Sequence, residues 1–311
     1  MKTSQYNDPI DSLNLFELSE RFDFLISLYN SKKLPKVLML SGKKGIGKFT
    51  LVNHFLSYIF DKGNYDLKNK VINNNTQYYK QYSKNIFSNI IYLSGENFKS
   101  VKIDDIRELK STILKTAISQ MERFIILDDI ELFNINSLNA LLKIIEEPLS
   151  NNYFILINNK TKPLIKTIYS RSLEIKILLS NKTRIKIIES LIKINEVDVF
   201  VDFVFSNLTP GNFLIFNKIC EENKIDIDGK FLENLNILFD KYKKSKDLNL
   251  INMILFLTDY YFYNLQQKKI HNIDKTIENK SFVINNINNF LRYNINQNSL
   301  LNAINNKLSH G

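Results

Sequence analysis

The 311-residue sequence is poor in the residues that build covalent or metal-held scaffolds, with one cysteine, three histidines and no tryptophan. A lone Cys220 excludes an intrachain disulfide, and His54, His271 and His310 are too scattered to read as a structural zinc set. That cysteine usage predicts a cytoplasmic protein without zinc. No apolar run follows the basic residue at the start of "MKTSQYNDPIDS", so no secretory signal is expected. The longest apolar stretch, Leu248 to Leu265, is interrupted by Asn252, Asp259 and Asn264 and predicts a buried helix rather than a membrane span. Glycine and proline are scarce, at eight and five, and few glycines and no proline occur after residue 226, which removes the turn signals that strands and hairpins need.

What is present is ordinary globular material, 44% hydrophobic and 24% charged, in a chain long enough for two or three domains. The net charge of +10 suits a polyanionic partner, but the basic residues are spread along the chain rather than gathered in a stripe, so charge alone does not locate a nucleic-acid site. Between residues 36 and 177, short apolar runs alternate with helical patterns, as in a sheet with crossover helices. Strands are expected at Val37–Leu40, Ile90–Leu93, Phe124–Leu127, Tyr153–Ile157 and Leu173–Ile177. The expected domains are an α/β phosphate-loop domain at 1–178, a small helical domain at 179–225 broken by "SNLTPGN", and an all-helical domain at 226–311.

The first strand runs into "SGKKGIGKFT", where Gly42, Gly47 and Lys48 match the phosphate-loop spacing G-x-x-x-x-G-K-[ST]. In such a loop, backbone N–H groups face phosphate oxygens, the next helix adds its positive end, and the lysine supplies a mobile charge. Gly42, Gly45, Gly47, Lys48 and Thr50 are the candidate phosphate contacts. The residue after the lysine should be a hydroxyl that ligates magnesium, and it is Phe49. A second apolar strand ends in Asp128 and Asp129, where one acid can hold the metal through water and the next can polarise the attacking water. Asp129 is one methylene shorter than the usual glutamate. Leu138, Leu141, Leu142 and Ile145 recur at helical spacing up to Pro148, predicting a helix with one apolar face on the sheet.

The succession "LPKVLMLSGKKGIGKFTL", "KIDDIRELK", "ILDDIELFNINSLNALLKIIEEP", "YFILINN" and "YSRS" resembles the clamp-loader branch of the AAA+ ATPases, and within it the δ′-type subunits of bacterial DNA polymerase III. The motifs cover residues 34–172, and "SNLTPGN" resembles the glycine turn of the family's helical lid. The final third, a collar in that family, matches only in helical character. The resemblance implies a five-subunit ring of γ/τ ATPase subunits, δ and this chain, which opens a sliding clamp and closes it on primed DNA. It also implies that Arg171, in the "SRS" that replaces the family's Ser-Arg-Cys, is an arginine finger acting in trans on a neighbour's ATP. Phe49, Asp129 and Asn212, the last standing where active relatives carry a sensor arginine, together imply weak or absent hydrolysis. ATP or ADP would be held without turnover, and Mg²⁺ binding would be compromised. The alternative is an autonomous DNA-linked AAA+ ATPase. Many relatives carry a four-cysteine zinc module after the phosphate-loop helix; the corresponding residues 61–88 have no cysteine and read as a polar, asparagine-rich surface excursion.

Overall fold

The computed structural model describes residues 12–95, 101–115, 122–149, 151–204, 206–267, 273–293 and 295–309; His271 and His310 lie outside them. The chain divides into two units. The first comprises Met1–Leu191 with Thr209–Gly211, and the second Ile192–Leu208 with Asn212–Gly311.

The first unit is built on five strands, β1 (Val37–Ser41), β2 (Ile90–Ser94), β3 (Arg123–Asp128), β4 (Asn152–Asn158) and β5 (Leu173–Lys176). All five expected strands are present. They form one parallel sheet in the order β2-β3-β4-β1-β5. Parallel strands need crossovers, which put helices on both faces and bury the central strands. Accordingly β1 is buried throughout and β3 and β4 nearly so, whereas the edge strands β2 and β5 are mostly half-exposed or exposed.

Strand alternation sorts the core into two layers. Leu38, Leu40, Phe124, Ile126, Ile155 and Ile157 face α1 (Ser19–Asn30) and α2 (Lys48–Phe60). Val37, Met39, Ile125, Leu127, Phe154 and Leu156 face α4 (Ile103–Lys115), α5 (Ile135–Glu146) and α6 (Lys166–Tyr169). The helix expected from the leucine spacing is α5: Asn134 caps it by accepting the Ser137 N–H at 2.8 Å, and Leu138, Leu141, Ile144 and Ile145 are buried.

The stretch 61–88 departs from the expected surface excursion. It contains α3 (Gln77–Tyr82), and Tyr65, Ile72, Tyr78 and Tyr82 are buried in the layer that holds α2. Tyr65 hydroxyl and His54 Nδ1 are 2.9 Å apart, Tyr82 donates to Asn53, and Phe60 stacks on Tyr78. Aromatic burial anchors a segment whose composition is polar, because a few large rings remove enough apolar surface to order it. Burial holds the His54 imidazole neutral, with its pKa lowered to about 3.

α7 (Asn181–Asn195) begins in the first unit. The second unit contains most of α8 (Pro210–Asn223) together with α9 (Phe231–Ser245), α10 (Leu248–Gln267), α11 (Ile273–Tyr293) and α12 (Gln297–Ser309). α10 packs on α9 and α11, and α12 packs on α11 and α9, around Leu235, Leu238, Phe239, Ile254, Val283 and Ile287. The apolar stretch from Leu248 is α10, with Leu250, Met253, Ile254, Leu257 and Phe262 buried; no helix among the described residues is long and apolar enough to cross a membrane.

Candidate functional site

The loop between β1 and α2 lies at the C-terminal edge of the sheet, where open parallel sheets bind ligands. Gly47 precedes α2 with φ 91° and Gly45 has φ 79°, conformations that turn the loop's N–H groups and that a side chain would strain. Gly45 is also covered: the Gly211 N–H donates to its carbonyl at 2.8 Å, and a Cβ on Gly211 would stand 2.8 Å from Gly45 Cα. The glycine turn singled out in the sequence therefore seats on the phosphate loop, backbone against backbone. Gly42 donates its N–H to the Asn158 carbonyl at 3.1 Å, which ties the loop to β4.

Lys48 is turned inward. Its ammonium donates to the carbonyls of Gly42 at 2.8 Å and Lys43 at 2.7 Å, and the residue is 3% exposed. Burial lowers its pKa to about 8, against the opposing pull of Asp128, Glu131 and Asp129. Thr50 sits half-buried in the first turn of α2.

Phe49 occupies the position of the metal-binding hydroxyl and packs edge-on against Tyr92 of β2, with ring centroids 5.3 Å apart and an interplanar angle of 74°. Tyr92 in turn donates its hydroxyl to Asp128 Oδ2 at 3.3 Å. The other Asp128 oxygen accepts the Asp129 N–H at 2.8 Å and the Asn159 amide at 3.4 Å. Burial first, and the neighbouring Asp129 carboxyl second, push the Asp128 pKa up to about 7. An aromatic edge and a phenol thus stand beside Asp128, and Phe49 brings no oxygen donor to this corner.

Asp129, 2% exposed and left-handed at φ 49°, accepts the Asn159 amide at 2.7 Å. Asn159 is itself held by its backbone N–H on Glu131 Oε2 at 3.1 Å, while Glu131 Oε1 accepts the Thr161 N–H and hydroxyl at 3.2 and 2.8 Å. Asp129 is therefore locked by an amide. Tyr92 and Glu131 carry no sequence signal of their own, and Asn159, at a position where relatives carry a polar sensor residue, is one asparagine among many; each gains its meaning only when β2, β3 and β4 are laid side by side.

Arg171 stands outside this cluster, in the turn after α6. Its Nε donates to Glu146 Oε1 at 2.7 Å, its Nη2 lies 2.5 Å from the same oxygen, and its Nη1 donates to the Thr167 carbonyl at 3.2 Å and Ser170 Oγ at 3.3 Å. The side chain remains about one-third exposed, at 34%. Ser172, in the place of the family's cysteine, donates its hydroxyl to the Ile168 carbonyl at 2.9 Å. The sequence-selected residues thus fall into two groups, the loop with its acids and a separate arginine turn.

Comparison with known proteins bears on the family of the chain. A family model described as "DNA polymerase III, delta subunit" matches residues 18–181. The DNA polymerase III subunit delta' of Buchnera aphidicola subsp. Baizongia pistaciae is 24% identical over 233 residues, covering 65% of this chain and 69% of that protein. The subunit delta' of Buchnera aphidicola subsp. Schizaphis graminum is 30% identical over 149 residues, which is 47% of this chain and 44% of that protein. Among solved structures, a DNA polymerase III gamma subunit-related protein of Thermotoga maritima aligns with 90% of this chain and 96% of its own, at 16% identity and a TM-score of 0.44. With more than half of its length matched by the family model, the chain belongs to the DNA polymerase III delta subunit family, as a clamp-loader subunit of the delta-prime type.

Proposed function

We propose that this chain is a mechanical and activating subunit of the cytoplasmic clamp loader, one that does not turn over ATP and that completes a neighbour's ATPase site with Arg171. In this reading it joins γ/τ ATPase subunits and δ in a five-subunit ring that places the sliding clamp on primed DNA. The observation that carries the proposal is the Phe49–Tyr92–Asp128 chain. It sets an aromatic pair beside a carboxyl whose pKa burial has raised, at a corner where hydrolysis needs a magnesium ion and two ionised acids.

The phosphate cradle itself survives, since Gly45, Gly47 and Lys48 keep the loop geometry. Phosphates of ATP or ADP bind there by displacing the Lys48 ammonium from the Gly42 and Lys43 carbonyls, without a metal and without turnover. Arg171 has the opposite setting. A guanidinium at the end of a short helix, partly exposed and borne by backbone, can stabilise charge developing on a γ-phosphate of an adjacent subunit.

The test is the steady-state ATPase of the purified chain and of the reconstituted loader. Background turnover by the chain alone, together with loss of DNA-stimulated turnover when the loader carries Arg171→Ala, is the expected result. Robust turnover by the chain alone, abolished by Lys48→Ala, would overturn it.

A further inference from the structure

Glu146 is the last residue of α5, and its position runs against local helix energetics. The C-terminal end of a helix carries partial negative charge, so a carboxylate there is unfavourable and a cation is preferred. Residues that break a local rule gain their explanation from tertiary contacts. For Glu146 that contact is Arg171, through both Nε and Nη2 on one carboxylate oxygen.

The geometry around the pair is well determined on both sides. α5 is anchored to the sheet by Leu138, Leu141, Ile144 and Ile145, so the Cα of Glu146 is held by the core. α6 is anchored by Ile168, which is fully buried, and the backbone of the following turn is closed by the Arg171 N–H on the Ile168 carbonyl at 3.2 Å. What remains loose is the arginine side chain, with its many rotamers. Thr167 and Ser170 take Nη1, but both are weak neutral acceptors at 3.2 and 3.3 Å. Glu146 supplies the one charged acceptor among the described residues, at 2.5–2.7 Å. Its hold on the Nε side of the planar fork leaves an outward N–H of Nη2 for an incoming anion, since the guanidinium carries five donors in fixed directions.

We propose that Glu146 is the positioning residue for Arg171: it orients the guanidinium so that the outward edge meets the γ-phosphate of the adjacent subunit. This rests on the reading of Arg171 as the finger. A rotamer held before ATP arrives does not have to be ordered during the chemical step, and the benefit therefore falls on turnover rather than on nucleotide affinity.

The experiment uses the reconstituted loader with Glu146→Ala, Glu146→Gln, Arg171→Ala and the Glu146→Ala/Arg171→Ala pair, measuring DNA-stimulated ATP turnover against ATP concentration. Ring assembly of each is checked by size exclusion. Glu146→Ala is expected to lower kcat about tenfold with KM for ATP within about twofold. Glu146→Gln, which keeps an acceptor oxygen at the same reach and is the fallback if the alanine variant does not assemble, should lie between it and wild type. The double variant should be no slower than Arg171→Ala alone, because the two residues act as one unit. A wild-type rate for both Glu146 variants beside a depressed Arg171→Ala overturns the positioning role and leaves the finger standing. A rate raised by removing Glu146 also overturns it, by making the carboxylate a brake. An unchanged Arg171→Ala rate overturns the finger reading itself.

Discussion

Lys48 and Arg171 are the two cations on which phosphate chemistry in this family would turn, and they stand in opposite surroundings. Lys48 is 3% exposed and spends its ammonium on two carbonyls of its own loop, with an aromatic pair beside it. Arg171 is 34% exposed, on a turn whose backbone is closed by its own hydrogen bonds and whose side chain is aimed by a carboxylate from another helix. The first corner is satisfied from within, and the second keeps a charged edge at the surface. In the proposed reading, the site goes quiet because each group the chemistry needs has acquired a protein partner that competes with the ligand. A finger, in contrast, needs partners that orient it without using all its donors.

The largest expected effect belongs to the arginine corner. Arg171→Ala should slow hydrolysis at the adjacent subunit's site by about a thousandfold, since fingers of this kind contribute on that order. Single-turnover measurements on the assembled loader would show it, and equal rates at every site would remove the contrast between the two cations.

At the loop, Phe49→Ser should destabilise the chain by about 2 kcal/mol, through loss of the ring contact with Tyr92 and the space left behind. Urea unfolding measures this. The serine should not restore turnover, because Asp129 remains locked by Asn159.

Asp128→Asn is expected to stabilise the protein at every pH where the carboxyl of the unfolded chain is ionised. The folded pKa, about 7, lies above the usual aspartate value of 3.8, so the native state loses stability as pH rises between them and keeps that loss above pH 7. The gain should be at most about 4 kcal/mol at pH 8 and absent at pH 3, as read by thermal melts across that range. An active metal site would respond in the other direction, with magnesium added. The smallest effect is a null: magnesium should change the affinity of the chain for ATP by less than about twofold, whereas hard-cation ligation at a working site would change it severalfold or more. A magnesium-dependent affinity in calorimetry would mean that Phe49 and Tyr92 move aside.

The strands were legible because buried parallel strands are written as continuous apolar runs, and "VLML", "FIIL" and "YFILI" are of that kind. The phosphate loop was legible because its glycines and lysine have fixed spacing on one continuous segment. Phe49 announced the missing metal ligand for the same reason. The burial of residues 61–88 is not legible in their composition, since Tyr65, Tyr78 and Tyr82 are separated by asparagines and lysines and acquire their burial only against α2. Asn159 could not be distinguished from the many other asparagines, and nothing about "IIYLS" marks Tyr92 as the partner of Phe49 and Asp128 together. Glu146 was visible as a letter in "KIIEEP" but not as a partner of Arg171, 25 residues further on.

What the sequence determined by itself was local: which segments alternate or repeat as strand and helix, where a glycine loop can cradle phosphate, and which single residues depart from the hydrolytic pattern. Those follow from dihedral preference, period and spacing along one stretch of chain. The tertiary structure decided which departures meet. Strand pairing sets Tyr92 opposite Ile126, from where its hydroxyl reaches Asp128 two residues on, the packing of α2 brings Phe49 to Tyr92, and the packing of α5 and α6 on the same face of the sheet joins Glu146 to Arg171. Pairwise contact between distant residues is a property of the packed core, because only burial of both elements on one sheet holds their side chains within hydrogen-bonding reach.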